Sequence, residues 1–303
     1  MSESFLDALK VRVLLADGAV GTELQKGELE PGGCGERWNV EHPDRILAIQ
    51  RAYAEAGADC LTTNTLGASR VMLEMHGIAD DAEAIVRAGV RIAREAFGGR
   101  PGFVLGDMGP LGRLLEPLGD LSEAEAQGAL SEQAATLIDE GVDAIIIETE
   151  SSLGELGIAI AAAREAGAPC VIGSMAFDVI RDGADLRTMM GVSPEDGARF
   201  MTDAGADVLG LNCGKGIDAA WAATAVRRYA SVSDLPTMAQ PNAGLPVLEN
   251  MRAVYKQGPE IMAEALPELL AAGVRVLGGC CGTTPDHIRH FRAMVDSWNA
   301  GPG

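Results

Sequence analysis

The amino-acid sequence predicts a single (β/α)8 TIM barrel of the α/β class, because a short repeat recurs along the chain and strands alternate with helices throughout. In each copy of the repeat, a helical segment ends in Ala-Gly or Glu-Gly, a short apolar run follows, and a polar residue closes the run. The glycine is typical of a helix C-cap with positive φ, and the apolar run is typical of a parallel strand buried on both faces. The copies start at Ala56, Glu140, Ala166, Ala204 and Ala272.

Three further apolar runs complete the predicted barrel. Residues 11–16, 102–106 and 235–239 add three strands to the five of the repeat, which gives the eight strands of a (β/α)8 barrel. No Gly/Ser-rich or Pro-rich linker divides the sequence, so we expect one barrel domain over residues 1–303. A doubly wound open sheet is the alternative architecture that the same alternation allows.

Charge and cysteine content restrict the class of protein. The formal net charge of -20 disfavours nucleic acid and acidic membrane surfaces as partners, because both are polyanionic. The sequence contains no apolar run of about 18 residues, and its N-terminus lacks the basic and apolar regions of a secretory signal. Six cysteines in 303 residues do not form a dense disulfide framework. We therefore expect a cytoplasmic protein whose cysteines are core residues, metal ligands or nucleophiles.

Polar residues recur at the predicted strand ends. In every copy of the repeat, a polar residue lies at the same offset after the glycine, where a strand of five or six residues would end. In a barrel these ends share one face, which carries the active site. Cys213 and Cys281 follow at the next position of their copies. The residues at the offset itself are Asn64, Glu148, Ser174, Asn212 and Cys280.

Cys213, Cys280 and Cys281 are therefore candidate ligands of a Zn²⁺ ion with one coordination position left open for a thiol substrate. Thr284 and Pro285 predict a helix start after the cysteine pair, and a helix N-terminus favours thiolate forms. Spacing alone leaves two alternatives open, namely buried apolar cysteines and a disulfide between the adjacent residues. The other three cysteines are not counted as ligands; Cys60 and Cys170 are expected in the core, and Cys34 lies in a glycine-rich loop.

Two carboxylates accompany the cysteines at predicted strand ends. Asp17 closes the first strand and precedes Gly18 and Ala19, where the backbone can approach a small ligand closely. Glu148 ends an all-apolar run, so its carboxylate needs a partner such as a substrate ammonium group. A structural turn at Asp17 and a structural ion pair at Glu148 remain alternatives. Asn64 and Asn212 are candidates either for substrate contact or for orienting neighbouring side chains.

Together these residues resemble the homocysteine S-methyltransferase family over nearly the whole chain. The resemblance implies a zinc-containing (β/α) barrel that methylates the sulfur of homocysteine to give methionine. It implies that Cys213, Cys280 and Cys281 bind zinc, that Asp17 and Glu148 hold the amino group, and that N–H groups near Gly18 and Ala19 bind the carboxylate. The matching motifs are Asp17-Gly18-Ala19-Val20-Gly21-Thr22, Thr63-Asn64-Thr65, Gly109-Pro110-Leu111-Gly112, Glu148-Thr149, Gly210-Leu211-Asn212-Cys213-Gly214 and the segment from Gly278 through Cys280-Cys281 to Ile288.

The methyl donor is not specified by these motifs. The family uses glycine betaine, methylsulfonium compounds such as S-methylmethionine, S-adenosylmethionine, or a methylated corrinoid or folate. Because the sequence lacks the DxHxxG corrinoid motif and the length for corrinoid or folate domains, betaine or a methylsulfonium is the simplest expectation. A separate corrinoid protein acting as partner remains open, as does a homo-oligomer.

Two hypotheses from other classes compete with this one. A dithiol redox or zinc-storage protein would use Cys280 and Cys281 but would leave Asp17 and Glu148 without a role. An unrelated barrel enzyme such as an aldolase would need a strand-end lysine for a Schiff base, and Lys215 is the only nearby candidate.

Overall fold

A ring of parallel strands forms the centre of the fold in a computed structural model of the chain. The structure describes residues 3–26, 29–30, 32–180, 185–249 and 252–301. Within them the strands are β1 (Leu14–Leu15), β2 (Cys60–Thr62), β3 (Phe103–Met108), β4 (Ala144–Glu150), β5 (Val171–Met175), β6 (Asp178–Ile180), β7 (Asp185–Arg187), β8 (Val208–Asn212), β9 (Thr237–Gln240), β10 (Pro246–Glu249), β11 (Arg252–Tyr255) and β12 (Val274–Leu277).

Helices alternate with these strands along the chain. They are α1 (Phe5–Val11), α2 (Val20–Lys26), α3 (Trp38–Glu41), α4 (Pro43–Glu55), α5 (Arg70–Glu74), α6 (Ala82–Ala96), α7 (Glu123–Asp139), α8 (Leu153–Glu165), α9 (Pro194–Ala204), α10 (Ala219–Ala230), α11 (Pro259–Ala271) and α12 (Pro285–Asn299), with a 3-10 turn at Ala79–Asp81. No helix in the described ranges has the length and apolarity that crossing a membrane requires.

Eight of the described strands form one parallel sheet in the order β1-β12-β9-β8-β5-β4-β3-β2. A parallel bridge between Ala16 and Cys60 joins the two outer strands of that order, β1 and β2, so the sheet curls into a barrel. The predicted (β/α)8 barrel is confirmed, and the doubly wound open sheet is excluded. The single domain over residues 1–303 stays a prediction.

Two antiparallel hairpins are inserted after barrel strands. The hairpin β6–β7 lies between β5 and α9, and the hairpin β10–β11 lies between β9 and α11. Both therefore extend from the carboxyl ends of the barrel strands, the face on which a barrel carries its site.

The barrel interior is filled by alternate residues of the strands. On β4, Ala144 and Ile146 belong to the interior cluster, whereas Ile145 and Ile147 pack against the surrounding helices. Phe5, Ala8 and Leu9 of α1 pack into the same interior cluster, as do Cys60 and Cys170, the two cysteines expected in the core. The inward positions beyond this apolar filling are where polar side chains reach the mouth of the barrel.

The carboxyl group of Glu150, at the end of β4, is buried without a hydrogen-bond partner. Its side chain is 1% exposed and neither carboxylate oxygen has a hydrogen-bond partner. Burial, followed by the nearby Glu155, raises the pKa of Glu150 well above its usual value. The folded state therefore keeps a proton that the unfolded chain releases above about pH 4.5, so the free energy of unfolding falls as the pH rises.

We expect Glu150→Gln to stabilise the protein at pH 8 by about 1–3 kcal/mol, because the amide needs no proton on folding, whereas the carboxyl must take one up or bury a charge. The gain should shrink towards pH 5, because the unfolded chain releases less of this proton as the pH approaches the ordinary pKa of about 4.5. Urea unfolding between pH 5 and pH 8 measures the difference, with the exposed Glu165→Gln as a matched control. Parallel stability curves for wild type and Glu150→Gln would contradict the prediction.

Candidate metal centre and substrate cavity

Three thiols meet at the carboxyl ends of β8 and β12. Cys213 directly follows β8, and Cys280 and Cys281 lie in the loop after β12. The Sγ atoms of Cys213 and Cys281 are 3.8 Å apart, and all three sulfur atoms lie within 4.8 Å of one another. All three residues are half-buried. Sulfur ligands at this spacing suit a thiophilic metal ion.

The backbone at Cys213 is held in an unusual conformation. Cys213 has a φ of 54°, and Gly214 has a φ of 77°. A Cβ atom on Gly214 would lie 1.8 Å from the carbonyl oxygen of Phe177, so a larger residue does not fit without backbone movement. The close approach of these two backbone segments thus fixes the direction of the Cys213 side chain.

A cavity of about 380 Å³ opens beside the three thiols at the mouth of the barrel. All three cysteines line it. Among the described residues that line it are no lysine, arginine or histidine, but four acidic side chains. These are Asp17, Glu36, Asp107 and Glu148.

The carboxyl groups of Asp17 and Glu148 differ in the hydrogen bonds that they receive from the protein. Asp17 is 1% exposed and accepts two hydrogen bonds from Thr62, one from the backbone N–H at 2.8 Å and one from Oγ1 at 2.9 Å. Burial raises the pKa of Asp17 to about 7, and the bonds from Thr62 oppose the shift. Glu148 receives no hydrogen bond within the described residues. Burial, then the charges of Asp17 and Cys281, raises the pKa of Glu148 to about 8.

The Gly18–Ala19 segment is packed against the cysteine loop. The N–H of Ala19 donates to Thr283 Oγ1 at 3.2 Å, and the Tyr53 hydroxyl donates to the carbonyl oxygens of Ala19 and Thr283 at 2.9 and 3.1 Å. A Cβ atom on Gly18 would lie 2.6 Å from Thr283 Oγ1, so glycine permits this contact. Within the described residues, the N–H of Gly18 makes no hydrogen bond and remains available to a ligand.

Residues 14–295 match the family model described as homocysteine S-methyltransferase. The chain belongs to the homocysteine S-methyltransferase family.

Two curated relatives are methionine synthases from mycobacteria. The chain is 36% identical to that of Mycobacterium leprae (strain TN) over 310 residues, which cover 98% of this chain and 25% of the relative. It is 36% identical to that of Mycobacterium tuberculosis (strain ATCC 25618 / H37Rv) over 302 residues, which cover 96% of this chain and 25% of the relative. The chain thus spans about a quarter of the length of these proteins.

Among solved structures, the homocysteine methyltransferase MmuM from Escherichia coli has the same fold. Its metallated form aligns with a TM-score of 0.76 at 23% identity and covers 93% of this chain and 96% of that chain. Its oxidized form aligns with a TM-score of 0.76 at 24% identity, covering 96% and 98%.

The two asparagines of this homocysteine S-methyltransferase family member have different surroundings. Asn64 lines the cavity, but its Nδ2 donates to the carbonyl of Gly35 and to Asn39 Oδ1, both at 2.9 Å, and so holds the loop before α3. Asn212 is not among the described residues that line the cavity. Its Oδ1 accepts from Thr149 N–H and Ser174 Oγ, and its Nδ2 faces Thr149 Oγ1 at 2.7 Å and Cys280 Sγ at 3.9 Å. These contacts suit orientation of the site better than substrate contact.

Two residues that line the cavity were not predicted from the sequence. Asp107 and Gln240 are each 4% exposed and line the cavity, and each has a side-chain oxygen without a hydrogen-bond partner. Neither β3 nor β9 is preceded by a copy of the Ala-Gly repeat, so the offset from the glycine did not apply to them. Phe103 and Leu105 on β3 both belong to the interior cluster. Continuing this alternation by one step predicts that Asp107 also points to the interior.

The structure also bears on the competing hypotheses. Lys215 is exposed and does not belong to the described lining of the cavity, which removes the candidate for a Schiff base. The dithiol hypothesis gives no role to the four carboxyl groups beside the thiols. Cys34 lies outside the thiol cluster, with its Sγ 3.5 Å from Glu36 Oε2.

We expect Gly214→Ala to destabilise the protein far more than Gly167→Ala. Both glycines have positive φ, 77° and 83°, but a Cβ on Gly167 meets nothing within 4 Å. The left-handed conformation alone costs an alanine about 1–2 kcal/mol, whereas the collision with Phe177 should bring the loss at Gly214 to about 3 kcal/mol or more. Urea unfolding measures both variants, and equal losses would show that the backbone there yields freely.

Proposed function

We propose that this chain catalyses the transfer of a methyl group to the thiol of homocysteine, giving methionine, with Zn²⁺ held by Cys213, Cys280 and Cys281. The observation that carries the proposal is that the three thiols line one acid-rich cavity in a member of the homocysteine S-methyltransferase family. A thiol substrate with an ammonium group suits such a cavity, because it offers one group for the metal and another for the carboxylates.

The sulfur positions support zinc as the metal. Zn–S distances of about 2.3 Å in a tetrahedral site place two thiolates about 3.8 Å apart, and Cys213 and Cys281 show a separation of 3.8 Å. Three protein ligands leave a fourth position, as in catalytic zinc sites. When bound, zinc lowers the pKa of a thiol at that position, so that the substrate sulfur is a thiolate at neutral pH.

The other residues act by orienting the substrate. Asp17 and Glu148 hold the ammonium group, and the free N–H of Gly18 binds the carboxylate, while the N–H of Ala19 braces the loop through Thr283. Asn212 fixes Cys280. Orientation is the main contribution that side chains can make here, since methyl transfer between two bound substrates needs an in-line approach and no general base at the moment of transfer.

The charge of the cavity supports a small methyl donor whose methyl group is on a cationic centre, namely betaine, which is a zwitterion, or a methylsulfonium such as S-methylmethionine. Four acidic side chains and no basic one are among its described lining residues, and the chain as a whole carries a net charge of -20. A cation would be drawn towards this cavity, and its positive charge disappears from the donor when the methyl group leaves.

A second candidate function is a homocysteine-activating subunit that receives the methyl group from a separate corrinoid protein. The likeness of this chain to a quarter of the length of methionine synthases favours it. The substrate thiol and its binding residues would be the same in both functions. A homo-oligomeric state stays a prediction.

A donor panel separates the two candidates. Zinc-loaded protein and homocysteine are offered betaine, S-methylmethionine, S-adenosylmethionine or dimethylsulfoniopropionate, and methionine is measured. We expect methionine with betaine or a methylsulfonium. Methionine from none of these, together with turnover of a methylated corrinoid protein, would establish the second candidate instead.

Replacing one sulfur should abolish metal binding. We expect about one zinc per wild-type chain after dialysis and far less in Cys213→Ala, because two thiolates hold zinc much more weakly than three. Methyl transfer should fall more than about hundredfold, beyond the loss typical of residues that merely support a ligand. Cys34→Ala is the matched control and should keep its zinc. Full activity in metal-free protein would contradict the proposed function.

A further inference from the structure

Asp107 is a buried carboxyl group that faces the cavity without a partner. It lies on β3, is 4% exposed and lines the cavity. Its Oδ1 has no hydrogen-bond partner, and none of the described residues donates to its other oxygen. A buried polar atom left in this state is unfavourable unless a ligand or a water molecule supplies the missing donor.

The charged neighbours of Asp107 are acidic, so they do not neutralise its carboxylate. On the adjacent strand Asp107 is in register with Ile146, so Glu148 lies one inward position further along β4. Glu148, Glu36 and Asp17 are the charged groups that act on Asp107, and all three are acidic. Burial and these charges raise the pKa of Asp107 well above its usual value. The group that completes this arrangement is therefore a cation.

The hydrogen bonding of Asp17 makes Asp107 the freer of the two aspartates. Both oxygens of Asp17 already accept hydrogen bonds from Thr62, at 2.8 and 2.9 Å. Glu148 and Asp107, on neighbouring strands, receive none within the described residues. Among the carboxyl groups of the cavity, the unused acceptor capacity is thus concentrated on β3 and β4.

We propose that Asp107 binds the ammonium group of the homocysteine substrate together with Glu148 and Asp17. This inference rests on the proposed function and adds a specificity-determining residue to it. An ammonium group carries three N–H donors, which matches three carboxyl groups. A quaternary ammonium or sulfonium centre has no donor and would leave Oδ1 of Asp107 unpaired, so the amino group of the thiol substrate fits better than the methyl-bearing centre of the donor.

Two thiols that differ only in the amino group test the role. Isothermal titration calorimetry of the zinc-loaded protein compares homocysteine with 4-mercaptobutyrate, which lacks that group. In Asp107→Asn we expect homocysteine to bind about tenfold to a hundredfold more weakly, the loss typical of a charged hydrogen bond. Affinity for 4-mercaptobutyrate should stay within about twofold. The substitution keeps the backbone hydrogen bonds of residue 107 with Thr63, Thr65 and Gln133, so the variant should fold, and circular dichroism checks this.

Proton release gives a second readout that a merely structural role would not move. Ammonium binding should ionise Asp107, so at pH 7 wild type should release more protons with homocysteine than with 4-mercaptobutyrate. Comparing the two thiols removes the contribution of the thiol proton. In Asp107→Asn this excess should decrease. Glu150→Gln removes a similarly buried carboxyl outside the described lining of the cavity and should leave both affinities unchanged.

Several outcomes would overturn the inference. One is an unchanged affinity of Asp107→Asn for homocysteine, and another is an equal loss for both thiols. A third is a raised KM for the methyl donor alone, which would place Asp107 at the donor. If wild type binds neither thiol, the proposed function itself fails, and that result is distinct from a failure confined to the variant.

Discussion

Closure of the parallel barrel is the constraint on which the site depends. Because β1 pairs with β12 and a bridge joins Ala16 to Cys60, residues from opposite ends of the sequence share one rim. The carbonyl of Asp17 accepts from the N–H of Gly279 at 2.9 Å, directly beside the cysteine pair. Parallel strands all present their carboxyl ends on this rim, so the thiols and the carboxylates face one cavity without any long connecting loop.

The fold and the thiol positions could be predicted because they follow a repeated local pattern. A helix that ends in glycine and a short strand place a polar residue near the rim at a constant offset from the glycine, and Glu148, Asn212 and Cys280 all obey this offset. Asp107 and Gln240 do not, because β3 and β9 lack the repeat. Nor does a sequence pattern give side-chain direction beyond a strand end. The bonds of Asn212 to Thr149 and towards Cys280 accompany positive φ values at Thr149 and Cys213, which the pattern does not encode.

The site brings acidic groups together at the mouth of the barrel without basic partners among the described lining residues. Elsewhere carboxylates in this protein meet arginines, as Glu195 and Asp185 do at Arg228. In the cavity the described lining has no basic side chain, and the pKa values of Asp17, Asp107 and Glu148 are all raised. Internal cations would satisfy these groups permanently. Because the described lining has no such cation, the carboxyl groups can attract a charged ligand instead. The cost is that these groups are hard to ionise until the ligand binds.

Asn212 connects the backbone that carries the thiols to the backbone that carries Glu148. Thr149 and Cys213 are the two non-glycine residues with positive φ in the described chain, at 64° and 54°, and Asn212 lies next to Cys213 and bonds to Thr149. Such a conformation is unfavourable for a β-branched residue and persists only where surrounding bonds compensate for it. Since Thr149 follows Glu148, the same asparagine that faces Cys280 also sets the backbone that carries the carboxylate. With the proposed function, Asn212 therefore helps to set the distance between the thiols and the carboxylate that would hold the ammonium group.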